Sequence, residues 1–132
     1  MNILTHNQKH INICGTCLKG NLVCSYKTLV RLFGEPTKGD EYKTDAEWHL
    51  EIHDPQSGDV ETVTIYNWKN GKSYLGEILG RDVKEISDWH IGGRSKEALR
   101  IIEVVKAARL ALHGFDEFFS PLPYFESEVI DV

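Results

Sequence analysis

Strict alternation around residue 50, two apolar runs at helical spacing and a glycine doublet before the second run predict an α+β domain. The expected architecture is a small antiparallel β-sheet, in the order β-β-α-β-β-β-α, packed by two helices on one face. A chain of 132 residues suits one such domain, and 41% apolar with 27% charged residues is a globular composition.

Residues 1–9 read as a polar, loosely ordered start. His10-Ile11-Asn12-Ile13-Cys14-Gly15 alternates, Lys19-Gly20-Asn21 signals a turn, and Leu22-Val23-Cys24 suits a returning strand, which together predict an N-terminal hairpin. Ser25 is placed to cap a helix whose apolar positions are Tyr26, Leu29, Val30 and Phe33. Gly34 supplies its stop, and Pro36 cannot continue it. In the next strand Ala46, Trp48, Leu50 and Ile52 share one face, and Glu47, His49, Glu51 and His53 share the other, so one side is buried and one wet. Asp54–Asp59 is a turn, and Thr62–Trp68 returns as its partner strand. Residues 71–86, with Asn70-Gly71, Gly76 and Gly80, suggest a loop excursion. Ser87–Gly93 is a short strand and Gly92-Gly93 a turn. Leu99, Ile101, Ile102, Val104, Val105, Ala108 and Leu112 then give the longest helix, which Gly114 ends.

Charge divides the chain in two. Residues 115–132 hold five of the 20 acidic side chains and none of the 15 basic ones, so the body is neutral and the tail carries the whole net charge of −5. The division expected is one domain over 1–114 and an acidic aromatic tail over 115–132. A neutral body argues against non-specific nucleic-acid binding. No apolar run is long enough to span a membrane, and the start lacks a signal-peptide pattern, so a cytoplasmic protein is expected.

Few residues offer chemistry. Cys14 and Cys17 have a metal-knuckle spacing, but without a second such pair small buried thiols are the better reading, and neither metal nor cofactor is expected. His49 and His53 are separated by about 13 Å along a strand, too far to share one metal. The segment from Trp89 to Lys96 is the least generic. Gly92 and Gly93 permit close backbone approach, a helix start favours anions, and Arg94 and Lys96 stand where the helix dipole disfavours cations. With Asn67, Trp68, Lys69, Trp89 and His90 nearby, these residues would form a phosphate or nucleotide site. The alternative is a strand-to-helix turn, with Trp89 as a core anchor. Phe118, Phe119, Tyr124 and Phe125 in the tail are candidates for partner binding, either docking on the body or joining copies of the chain.

Four stretches recur together in one family. Ser25–Pro36 with its Phe33-Gly34-Glu35-Pro36, Asp45-Ala46-Glu47-Trp48, Thr64–Lys72, and Asp88-Trp89-His90-Ile91-Gly92-Gly93 resemble motifs of a family of small, largely uncharacterised bacteriophage-encoded proteins. The resemblance spans about residues 13–105. It implies a viral protein acting in the host cytoplasm and transfers no catalytic residue. No G-x-S-x-G, H-E-x-x-H or P-loop occurs, so an enzyme is the least expected class. The expectation is a non-catalytic accessory protein that inhibits a host defence factor, such as a CRISPR effector, by stoichiometric protein binding. A sponge for a phosphate-bearing nucleotide at Gly92–Lys96 is the alternative.

Overall fold

The computed structural model describes residues 2–113. Five strands, β1 (Asn2–Thr5), β2 (Cys17–Val23), β3 (Glu47–His53), β4 (Val60–Tyr66) and β5 (Asp88–Gly93), form one antiparallel sheet in the order β1-β3-β4-β5-β2. The helices are α1 (Tyr26–Phe33), α2 (Lys72–Leu79) and α3 (Glu97–His113), with a single 3-10 turn at Val83–Glu85. The α+β class stands as expected, with α1 and α3 contributing to one core on one side of the sheet.

The alternation of β3 determines which side that is. Trp48, Leu50 and Ile52 are buried, and Trp48 and Leu50 lie opposite Ile65 and Val63 of β4. They share a core with Leu29, Leu32 and Phe33 of α1 and with Ala98, Ile101, Ile102 and Val105 of α3. Two tryptophans anchor it, their ring centroids 5.3 Å apart and nearly perpendicular. Each indole satisfies its one donor on a backbone carbonyl. Trp48 Nε1–H donates to Gly34 O and Trp89 Nε1–H to Cys24 O, both at 2.8 Å. Those two carbonyls flank α1. Its start is capped by Ser25 Oγ, which accepts the Thr28 N–H at 3.0 Å, and its end closes at Gly34 with a φ of 84°.

The N-terminal third departs from expectation. Residues 2–5 are an edge strand because Ile3 and Thr5 are buried against β3. The hairpin over 10–24 does not form, since β2 pairs with β5 and residues 10–16 are not in a strand. Lys19-Gly20-Asn21 lies within β2, at a register shift, and Gly20 leaves room for the Leu99 side chain above it. Cys14 and Cys17 are exposed rather than buried, whereas Cys24 is buried. The stretch 71–86 contains the helix α2.

Residues 9–16 form a strap over the outer face of the sheet, connecting its two opposite edges. Lys9 Nζ stands 3.2 Å from Glu51 Oε1 on β3. Arg94 holds the far end. Its Nη1 donates to Thr62 Oγ1 on β4 at 2.7 Å, its Nη2 to Asn12 O at 2.7 Å and its Nε to Cys14 O at 3.0 Å.

Candidate functional site

The predicted nucleotide residues fall in three places. Arg94 directs three donors into the strap and Thr62, and it has no carboxylate partner among the described residues. Gly92 and Gly93 are buried, and a Cβ on them would stand 2.4 Å from Thr64 Oγ1 and 2.3 Å from Ala98 Cβ. These glycines allow the sheet and α3 to close up, and they present no open cradle. Ser95 Oγ accepts the Glu97 N–H at 3.2 Å at the start of α3. Lys96 is exposed, Trp89 is in the core, and His90 is half-buried, stacked on Tyr66 at 5.6 Å. Asn67, Trp68 and Lys69 lie at the opposite end of the sheet, since Tyr66 pairs with His90 while Val63 pairs with Gly93. The structure therefore does not bring Trp68 together with Arg94. Phe118, Phe119, Tyr124 and Phe125 lie outside the described residues.

The outer face carries the paired carboxylates and histidines of β3. His49 Nε2–H donates to Glu47 Oε1 at 2.8 Å and His53 Nε2–H to Glu51 Oε1 at 2.9 Å. These bonds hold both carboxyls below their ordinary range, with Thr44 adding to the effect on Glu47. His6 donates from Nε2 to Glu35 O at 2.8 Å and accepts the His49 N–H at Nδ1, and burial lowers its pKa. Among the described residues no three His, Cys, Asp or Glu side chains are placed to hold a metal ion.

Asn67, expected among the nucleotide-site residues, is instead a buried anchor for a surface whose other members, Tyr42, Lys43 and Tyr74, the sequence does not mark. Its side chain is fully buried and saturated with hydrogen bonds. Oδ1 accepts the N–H groups of Asp45 (2.7 Å) and Ala46 (3.1 Å), and Nδ2 donates to Asp45 Oδ2 (2.8 Å) and Asn70 Oδ1 (3.0 Å). Asp45 in turn accepts the Ser73 N–H at 3.0 Å, which places a carboxylate at the start of α2, where Gly71 offers no side-chain cap. Gly71 must be glycine, because a Cβ there would fall 1.6 Å from Asp45 Oδ2. The excursion closes at its base, where Gly71 bridges Arg81 and the Arg81 N–H donates to Asn70 O at 3.0 Å.

This base supports α2, an exposed segment of two short helical turns joined at Gly76, whose φ of 87° is not helical. No residue of α2 is buried, and Leu75, Leu79 and Ile78 are 41%, 75% and 94% exposed. Beside it, Tyr42 and Tyr74 stand 5.4 Å apart and Trp68 is 40% exposed. Two ammonium groups lie over these rings. Lys43 Nζ is 5.8 Å from the Tyr42 centroid and 5.6 Å from that of Trp68, and Lys69 Nζ is 5.6 Å from Trp68 and 5.4 Å from Tyr74. Lys69 takes a φ of 59° and its N–H donates to Lys43 O at 2.8 Å, which keeps the two lysines together. Neither lysine has a carboxylate within ion-pair distance among the described residues.

The arrangement offers a supported, amphipathic surface of three aromatics, two cations and an apolar helix. Among the described residues no helix is long and apolar enough to cross a membrane. Comparison with family models, curated proteins and solved structures finds no match for this chain.

Proposed function

We propose that this is a non-catalytic binding protein that acts stoichiometrically on a protein partner through the surface formed by Tyr42, Trp68, Tyr74 and α2. The observation that carries this reading is the exposure of Leu75, Ile78 and Leu79 on α2, whose base is anchored by the fully buried Asn67 side chain with its amide oxygen and nitrogen both hydrogen-bonded. Buried polar networks are costly unless complete. A complete one beneath an apolar helix argues that the helix is held in position for contact. Exposed Trp and Tyr side chains beside apolar residues are the composition enriched at interface hot spots. The resemblance to bacteriophage proteins makes a host defence factor in the host cytoplasm the expected partner, with inhibition by occupancy as the mode.

The nucleotide alternative retains Trp68 and Lys69, where a base has a ring to stack on and a phosphate has ammonium groups to meet. It has less support at Gly92–Lys96, where Arg94 is engaged by the strap. Co-purification of the tagged chain from a bacterial host lysate tests the main reading, with I78S/L79S as the control. Both side chains are exposed, so that variant should match the parent in stability within about 0.5 kcal/mol. A heteromeric complex of fixed stoichiometry that I78S/L79S loses is the expected result. No such complex, or one indifferent to the substitutions, refutes the proposal.

A further inference from the structure

We infer that this same surface is the docking site of the chain's own carboxy-terminal segment, residues 115–132, which covers it in cis until a partner displaces it. Charge complementarity is the first argument. The segment carries Asp116, Glu117, Glu126, Glu128 and Asp131 with no Lys or Arg, and interleaves them with Phe115, Phe118, Phe119, Leu122, Tyr124 and Phe125. The surface presents the complement: Lys43 and Lys69 without carboxylate partners among the described residues, set among Tyr42, Trp68 and Tyr74 and beside the apolar side of α2. The carboxylates closest to it are engaged. Asp45 bonds Asn67 and Ser73, Asp40 accepts the N–H groups of Tyr42, Lys43 and Thr44, and Glu77 stands 3.5 Å from Lys72. These carboxylates keep their charge, and Glu41 is exposed beside Tyr42, so the complementarity is local: the segment's acids would meet Lys43 and Lys69, and its rings would meet Tyr42, Trp68 and Tyr74.

Reach is the second argument. α3 runs from the Gly93 end of the sheet towards the end that carries Trp68. Lys106 Nζ donates to the carbonyl of Val23, the last residue of β2, at 3.0 Å, and Arg109 bonds the Leu32 carbonyl near the end of α1. Val23 pairs with Asp88 and Tyr66 with His90, so the helix runs towards the end of the sheet at which Trp68 follows β4. An extended chain covers about 3.3–3.6 Å per residue. Ten residues can thus span about 33 Å, more than twice the radius of gyration of about 14 Å expected for a chain of this size. A tethered segment meets its own site at an effective concentration of about millimolar. Docking in cis is then favoured over capture by a second copy at ordinary protein concentrations.

The test uses the purified full-length chain. Trp48 and Trp89 are fully buried, so acrylamide quenching reads Trp68. The intact chain should quench weakly, and the full-length variant F118S/F119S/Y124S/F125S should quench strongly. A synthetic peptide of residues 114–132 should bind that variant and not the intact chain. Adding K43E/K69E should weaken the peptide by about tenfold or more, and salt should weaken it as well. In the full-length K43E/K69E chain, E126K/E128K should restore protection of Trp68, a rescue that a folding defect would not give. Equal quenching of intact chain and tail variant, or a peptide that binds neither, overturns the inference. A dimer by light scattering that dissociates in the tail variant also overturns it, since the occupant is then a second copy's segment. Displacement by a partner rests on the binding reading above and predicts that the tail variant captures more partner than the intact chain. Docking itself is read with no partner present, so either proposal can fail without the other.

Discussion

Replacing Asn67 with alanine tests whether the base of the α2 excursion is a structural joint. The substitution removes four hydrogen bonds. Their losses are unequal. The Ala46 N–H is buried and loses its partner, at a cost of about 1–3 kcal/mol. The Asp45 N–H and carboxylate are half-buried and regain water, so each adds about 0.5–1 kcal/mol. The expected destabilisation is about 2–5 kcal/mol by urea denaturation, within the reach of a domain of ordinary stability. Hydrogen exchange at Ser73 and Leu75 should quicken as α2 loses its anchor. Asn67→Asp separates geometry from charge. It keeps an acceptor for both N–H groups but sets a second carboxylate against Asp45 Oδ2. One of the two carboxylates must then titrate with a raised pKa, and the deficit relative to the parent should shrink as pH falls. N67A within about 0.5 kcal/mol of the parent, or an N67D deficit that ignores pH, would refute the reasoning.

Three further outcomes follow from other parts of the fold. Trp48→Ala should cost about 3–5 kcal/mol in a urea melt, since it empties the centre of the core and strands the Gly34 carbonyl. Arg94→Ala should accelerate hydrogen exchange in the strap and leave quenching of Trp68 unchanged, because its bonds go to Asn12, Cys14 and Thr62. Acid should destabilise the protein in two stages. His6 has a lowered pKa, so its contribution is complete above about 6.5 and is lost as pH falls through the lowered folded value. Its proton would also confront the His49 N–H at Nδ1. Glu47, likewise lowered, contributes above the ordinary carboxylate range and is lost below it. Thermal melts of His6→Gln should lack the first stage and keep the second.

The elements legible in the sequence are those whose local pattern and burial agree. The alternation of β3, the Ser25 cap and the Gly34 stop are found where their residues place them, and α3 buries Ile101, Ile102 and Val105 of its expected face but leaves Val104 and Leu112 exposed and buries Arg109 instead. The N-terminal third is not legible locally because its pattern is satisfied by distant partners. Lys19-Gly20-Asn21 has turn composition, yet Gly20 is there for Leu99, some 80 positions along the chain. The alternating run from His10 contributes Ile11 to the interior but spends its polar backbone on Arg94. Ile3 and Thr5 pair with β3, and nothing local signals it. The candidate surface was half legible. The sequence marks Trp68 and Lys69, but for a site at the other end of the sheet. It does not mark Tyr42, Lys43 and Tyr74, because a ring contact between two loops leaves no period in either. α2 escaped notice for a related reason. Gly76 interrupts it at a φ of 87°, and its apolar residues face solvent, so no amphipathic stripe marks it against a core.

The strap has a consequence for how the chain folds. β3 and β4 are joined by a short turn and can pair early, whereas the β1–β3 and β2–β5 ladders close long loops and come at a higher entropic cost. Because one short segment tethers β1 to β2, the sheet's two borders are not independent late events. Once either border docks, the other is held within the span of that tether and its search is shortened. Folding kinetics should therefore show φ-values that are high in β3 and β4 and low, but matched, in β1 and β2. Lengthening the strap with inserted glycines should slow the closing step while leaving the central hairpin's formation untouched.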